Sequence, residues 1–240
     1  MAQTSIVASI GKAGRNLPAD VEKVQQLLAR LPSLARVAVT RQCDPATLAA
    51  IHRFQATFMQ APDDRIDPGG KTLARLKLIA EGLPSRASHR VPMYSQPTIE
   101  LCWEACGRMM WHWRRGSLNG YQQAAGRYAQ MSRGLSENEL DAFCRQLGLR
   151  SLSPATGTDL LRLLAKAPVY FVGADQNGKH AMVAVGYDLA AASYAVNNPC
   201  SVMSVNFDEN DNSIGSCQAG STNLSFVAVE KELGRFLWYW

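Results

Sequence analysis

The sequence lacks any apolar run approaching the roughly 18 to 20 residues that cross a bilayer, so no membrane-spanning helix is expected. Its opening, Met1 to Val7, has neither the basic stretch nor the apolar core of a secretory signal. Work outside the cell would therefore need another export route. No Lys/Arg block occurs. The 25 basic and 20 acidic residues leave a net charge of +5 spread along the chain, which gives no footing for a nucleic-acid partner. A mild positive charge suits any anionic polymer, a cell wall included, without singling one out. The four histidines (His52, His89, His112, His180) form no HxxxH or HExxH pattern. The six cysteines (Cys43, Cys102, Cys106, Cys144, Cys200, Cys217) lack the paired short spacing of a zinc site. No metal and no cofactor are expected. Six cysteines are also too few for a disulfide scaffold at 240 residues. A Cys200–Cys217 bridge fits an oxidising compartment, and the sequence alone does not decide it.

What is present is a globular composition, 47% hydrophobic and 19% charged, with a mean hydropathy of -0.14. That is enough chain for one large domain or two ordinary ones. The first third has helical periodicity. In Pro18–Leu31, Val21, Val24, Leu27, Leu28 and Leu31 share one face. A second helix is expected over Pro45–Phe58, with Leu48, Ile51, Phe54, Gln55 and Phe58 along one side, Asp44 as its cap and Pro45 in its first turn. A third, shorter one runs from Lys71 to about Ala80. The segment Asp44-Pro45-Ala46-Thr47-Leu48 is echoed by Asp67-Pro68-Gly69-Gly70-Lys71-Thr72-Leu73, each a turn with an acidic residue and then Thr-Leu opening a helix.

Three signatures in this region, Val-Gln-Gln-Leu-Leu at 24–28, Arg-Phe-Gln at 53–55 and Asp67-x4-Thr72-Leu73, resemble the peptidoglycan-binding domain family. The resemblance covers residues 5–80 and implies a three-helix module with a binding groove, of the kind found beside wall-active enzymes. Phe54 reads as core. Gln55 reads equally as a structural cap or as a binding residue.

Residues 81–92 are Pro/Ser/Arg-rich and aperiodic, and read as a linker. Beyond them helices are expected at Cys102–Arg115, Asn119–Met131, Ser136–Leu147 (with a capping box from Ser136 to Glu139) and Thr158–Ala165. Strands follow at Val169–Val172, His180–Tyr187, Ser193–Val196 and Ser225–Val229. Helices first and antiparallel strands later make an α+β domain. The boundaries so drawn are a helical domain at 1–82, a linker at 83–92 and the α+β domain at 93–240.

The chemistry-bearing stretch is Gln96-x5-Cys102-Trp103-Glu-Ala-Cys106-Gly. It puts Cys102 at the start of a helix, where the helix end favours a thiolate. Gln96 lies six residues upstream with an amide donor. Far downstream His180 opens the strand His-Ala-Met-Val-Ala-Val-Gly-Tyr, and Tyr194-Ala-Val-Asn197-Asn198-Pro199 ends a strand in side-chain amides. Cys, His and Asn in this order resemble the papain-like cysteine peptidases, over residues 90–230. The form is similar to bacterial peptidases delivered into other cells and to bacteriocin-processing peptidases. The resemblance implies Cys102 as nucleophile, His180 as general base and acid, Asn198 (or Asn197) as the group orienting the imidazole, and Gln96 with the Cys102 N–H as the oxyanion hole. Cys106 is the competing nucleophile and reads as packing one turn deeper. His112, between two tryptophans, reads as surface or packing.

Asp208–Ser216 lacks the register of an EF-hand and reads as a loop. The closing Phe236–Trp240 either packs back on the body or presents a partner surface. The function expected from these features is cleavage of an amide bond in a protein or peptide substrate. The missing signal and the wall-binding resemblance together suggest a toxin carried into rival bacteria by a contact-dependent machine such as type VI secretion, with a cognate immunity protein in the producer. It would be made in the cytoplasm and act in a target cell's periplasm or cytoplasm. Two alternatives stand beside it. One is cleavage of wall peptide cross-links by the same triad; the other is a non-catalytic protein that binds peptidoglycan through residues 5–80.

Overall fold

The structure, a computed structural model, describes residues 5–31, 37–175, 178–207, 213–233 and 236–240. The chain divides into two compact units, residues 1–85 with 189–192, and residues 86–188 with 193–240.

The first unit holds three helices, α1 (Pro18–Ala29), α2 (Pro45–Ala56) and α3 (Lys71–Ala80), with a two-residue antiparallel pairing of β1 (Ile10–Gly11) and β2 (Arg65–Ile66). The face expected on α1 is buried throughout. On α2 the buried stripe is Thr47, Ala50, Ile51, Phe54 and Gln55, so Leu48 sits at its margin. Asp44 caps α2, its Oδ1 accepting from the Thr47 N–H at 2.7 Å.

The echo in the sequence is an echo in hydrogen bonding. Gln25, on α1, is fully buried; its Nε2 donates to Thr47 Oγ1 and Gln42 O, and its Oε1 accepts from the N–H groups of Thr40 and Arg41. Gln55, on α2, does the same one repeat later. Its Nε2 donates to Thr72 Oγ1 and Arg65 O, and its Oε1 accepts from the Asp64 N–H. Arg41 and Asp64 hold the same left-handed turn, at φ 65° and 59°. Each glutamine thus ties the loop before the next helix to the threonine in that helix's first turn, which satisfies backbone groups that burial would otherwise strand.

The second unit opens on β3 (Arg86–Ser88), inside the stretch read as a linker. The stretch is too short to carry a period; Ala87 lies opposite Tyr187, and the Arg86 guanidinium pairs with the Asp188 carboxylate opposite it at 2.6 Å. Gly186 permits the approach, since a Cβ there would stand 2.3 Å from Ala87 O. The helices are α4 (Cys102–Arg115), α5 (Tyr121–Ala125) continuing as a 3-10 turn (Gly126–Gln130), α6 (Glu137–Gln146) and α7 (Gly157–Leu164). α6 starts with the expected capping box from Ser136 to Glu139, and α7 carries a second one from Thr156 to Asp159. β4 (Arg150–Leu152), β5 (Val169–Asp175), β6 (Gly178–Asp188), β7 (Ser193–Phe207), β8 (Ser213–Ser225) and β9 (Leu237–Tyr239) form an antiparallel sheet in the order β4-β9-β5-β6-β7-β8, with β3 also on β6. The unit is α+β.

The strand expected at Ser225–Val229 is instead α8 (Phe226–Glu232). Ser225 ends β8 and caps the helix, its Oγ accepting from the Ala228 N–H at 3.1 Å. A five-residue apolar stretch fits either period, and here Phe226 and Val229, three apart, are the buried pair. The aromatic terminus packs back on the body. Trp238 is buried in β9, donates its indole N–H to Asp141 Oδ1 at 2.9 Å and meets Tyr170 edge-on at 5.4 Å. Asp208–Asn212, in the stretch read as a loop, lie outside the described residues.

The core that positions the site lies between α4 and the sheet. Trp103, Cys106, Met109 and Met110 from α4 pack with Phe143, Tyr170, Val183 and Trp238. Gly107 lets α6 come close, because a Cβ there would lie 2.6 Å from the Phe143 ring.

Candidate active site

α4 begins at Cys102, which places the thiol at the first residue of a 14-residue helix, half-buried at the mouth of a cleft. The cleft has a volume of about 1270 Å³, and Gln96, Cys102, His180 and Asn198 all line it. β6 brings His180 there. The Ala181 N–H donates to Cys102 Sγ at 3.5 Å, a contact between the helix start and the strand that spacing alone did not suggest.

The next link is from β6 to β7. His180 Nε2 lies 2.8 Å from Asn198 Oδ1. The same oxygen accepts from the Cys200 N–H, also at 2.8 Å. An N–H can meet only the oxygen end of a carboxamide, so the amide's orientation is fixed. His180 must then donate from Nε2, which in the neutral ring leaves Nδ1 as the basic nitrogen. Of the two asparagines, Asn198 is the one on the imidazole. Asn197 points elsewhere: it is buried, donates to Val91 O at 3.3 Å and accepts from Ser221 Oγ at 2.9 Å.

Gln96 is 3% exposed. Its backbone N–H donates to Pro199 O at 3.2 Å, which ties its loop to the turn after Asn198. Its Oε1 is buried with no hydrogen-bond partner among the described residues. Such a vacancy is costly in a purely structural residue.

Residues 134–137 form another part of the cleft lining. Trp103 Nε1 donates to Arg133 O at 3.0 Å, and Arg133 pairs with Glu139 at 2.6 Å. Hydrogen bonds from the Arg133 guanidinium, the Ser136 backbone and the Ser136 hydroxyl hold the Glu139 carboxyl down to about 2. Lys179 and Glu137 pair across the rim at 2.6 Å. Apart from Trp103, in the Cys-Trp motif, and the Ser136–Glu139 capping box, the sequence carries no signal for this part of the site.

The competing groups fall away from the cleft. Cys106 is fully buried, and burial pushes its thiol well above the ordinary range. His112 Nδ1 meets the Tyr94 hydroxyl at 2.5 Å on the half-buried side of α4. Glu104, one turn into α4, has its carboxyl pushed up by burial, a shift that Arg108 partly opposes. Its Oε2 has no hydrogen-bond partner among the described residues. Cys200 and Cys217 are joined as a disulfide, and Cys43, Cys102, Cys106 and Cys144 are free thiols. Among the described residues no group of three His, Cys, Asp or Glu is placed to hold a metal, and no helix is long and apolar enough to cross a membrane.

Residues 85–210 match the family described as the papain-like cysteine protease AvrRpt2. The chain belongs to that family. It is a papain-like cysteine peptidase, a hydrolase whose substrates are proteins or peptides. The match begins past the three helices of the first unit. It spans α4, β6 and all of β7, which carry Cys102, His180 and Asn198. The peptidase domain of Streptococcus ComA, a bifunctional ABC transporter involved in a quorum-sensing pathway, aligns in structure with 62% of this chain and 97% of that chain. The sequence identity there is 14% and the TM-score 0.42. No curated protein matches the chain.

Proposed function

We propose that this peptidase works through Cys102, His180, Asn198 and Gln96. The observation that carries the reading is the Asn198 oxygen shared between the Cys200 N–H and His180 Nε2, which orients the imidazole with Nδ1 as its basic nitrogen. His180 takes the Cys102 proton, and the thiolate attacks the scissile carbonyl carbon. The oxyanion that forms is met by the Cys102 N–H, which at a helix start has no intrahelical acceptor, and by the Gln96 amide. His180 then gives its proton to the departing amine, leaving a thioester on Cys102. Water, deprotonated by His180, attacks the thioester and releases the acid and the Cys102 thiolate. Asn198 keeps the ring in the useful tautomer throughout.

The biological setting we infer is an antibacterial effector. The unit at 1–82, similar in its motifs to wall-binding modules, docks or delivers the peptidase domain at 93–240. A secretion machine of the type VI kind carries it, and an immunity protein shields the producer. A second reading keeps the same groups and moves the substrate to the peptide cross-links of the wall. The Cys200–Cys217 disulfide favours that one, since such bonds persist in the periplasm and not in a reducing cytosol.

The test is to incubate the purified protein with an unfolded protein such as casein and, separately, with purified peptidoglycan, and to identify new amine termini by mass spectrometry. Cys102→Ala runs beside each. Cysteine-dependent cleavage of casein supports the first reading, and release of wall peptides alone transfers the site to the second. Binding of peptidoglycan with no cleavage of either would leave a non-catalytic wall protein.

A further inference from the structure

We propose that the Cys200–Cys217 disulfide is a positioning element of this catalytic set and so a redox gate on turnover. The proposal rests on reading Cys102, His180, Asn198 and Gln96 as the reacting groups.

β7 loses register on β8 just past the site. Asn198 pairs with Gly220 and Val202 with Gln218, so residues 199–201 face Ala219 alone. A bulge of this kind takes backbone groups out of the sheet ladder. Here they serve the site. Pro199 O accepts the Gln96 N–H, and the Cys200 N–H holds Asn198 Oδ1. On the facing strand the Ala219 N–H donates to Ser95 Oγ at 3.0 Å, next to Gln96. Two of the four groups, Asn198 and Gln96, therefore hang on the bulge and the residue opposite it. Among the described residues Gln96 has no hydrogen bond at Oε1 to hold it if Pro199 shifts.

The disulfide crosses this bulge. It joins Cys200 to Cys217 with their Cα atoms 4.7 Å apart, and Ser201 Oγ adds a bond to Gln218 O at 3.0 Å. β8 is an edge strand with β7 as its neighbour. The bulged residues of β7 lie past Asn197, its last pairing with β6, so the edge strand β8 alone holds them; such a segment relaxes at low cost, and the covalent tie prevents it. Opening the bond needs a dithiol reductant. One reductant thiolate attacks a cysteine sulfur, forming a mixed disulfide and expelling the other cysteine as a thiolate. The second reductant thiolate then displaces the remaining sulfur. Cys200 and Cys217 end as thiols, and the reductant ends as a disulfide. Cys102 is not consumed. In a reducing cytosol the pair stays open and the enzyme slow; in an oxidising compartment it closes and turnover rises.

The experiment compares kcat and KM on a peptide substrate for three forms. These are the wild type with the 200–217 bridge verified by peptide mapping, the same protein after dithiothreitol, and Cys200→Ser/Cys217→Ser. Asn198→Ala is made in the wild type and in the double variant. Opening the bridge is expected to lower kcat roughly 10- to 100-fold, as misplacement of reacting groups does, with KM within about twofold. The effect of Asn198→Ala should shrink in the double variant, because the two changes act through one group. Reductant should slow the wild type and leave the double variant unaffected, the reverse of its usual benefit to a thiol enzyme. If the double variant does not fold by circular dichroism, reduction and reoxidation of the wild type carry the test, with kcat falling and returning. Equal kcat with the bridge open and closed overturns the gate alone. A bridged wild type with no Cys102-dependent cleavage overturns the catalytic reading and the gate with it.

Discussion

Three glutamines, two in the first unit and one in the second, are buried to nearly the same degree and behave in opposite ways. Gln25 and Gln55 use both ends of their amides on loop backbone and on the threonine of the following helix. Gln96, which lines the cleft, has no partner at Oε1 among the described residues. A buried polar group that closes its own hydrogen bonds stabilises the loop it touches. One left open costs stability, and it is the other end of the Gln96 amide, Nε2, that would donate to an oxyanion. The wall-binding resemblance left Gln55 open between cap and ligand contact. Its closed hydrogen bonds make it a structural residue, whatever the unit binds.

The contrast is sharpest under substitution. Gln96→Ala is expected to lower kcat roughly 10²- to 10³-fold, the worth of one oxyanion donor, with little change in Tm. Gln55→Ala should do the reverse. It strands the Asp64 N–H and the Thr72 hydroxyl, each orphaned group costs about 1 to 3 kcal/mol, and the first unit melts earlier while peptide cleavage is unchanged. Steady-state kinetics beside a thermal melt reads both. Comparable Tm losses for the two would break the comparison.

A smaller effect is expected at Glu104, a buried carboxyl near the site whose Oε2 has no hydrogen-bond partner among the described residues. Its folded carboxyl is raised by burial, so the stability it permits is full at acid pH and is lost as pH climbs through the raised value. Glu104→Gln should therefore raise Tm by about 2 °C at pH 8 and leave it unchanged at pH 4. Melts at the two pH values check the sign.

The line between what sequence conveys and what it hides follows the same physics. α4 was legible to its ends, because its apolar face is long and Gly116 closes it in a left-handed turn at φ 73°. The strand from His180 was legible because it is central and buried, hence nearly all apolar. β8 was not. It lies at the sheet edge, its residues from Cys217 to Ser225 are mostly polar and exposed, and no period survives there. β9 is three residues long, too short to carry any pattern. The order Cys102, His180, Asn198 could be read from motifs, whereas the hydrogen bond that selects Asn198 over Asn197 depends on the bulge that brings Cys200 back onto it. Such a bulge is a matter of register between two strands, which neither strand encodes alone.

The proposed chemistry requires Cys102 to be a nucleophile made reactive by His180. The direct measurement is the rate at which a thiol-directed epoxide alkylates the bridged protein, with the adduct mapped by peptide mass spectrometry, in the wild type and in His180→Ala. One adduct is expected, on Cys102, formed at least roughly 10²-fold more slowly without the imidazole. An adduct on Cys43, Cys106 or Cys144, or a Cys102 rate indifferent to His180, would contradict it.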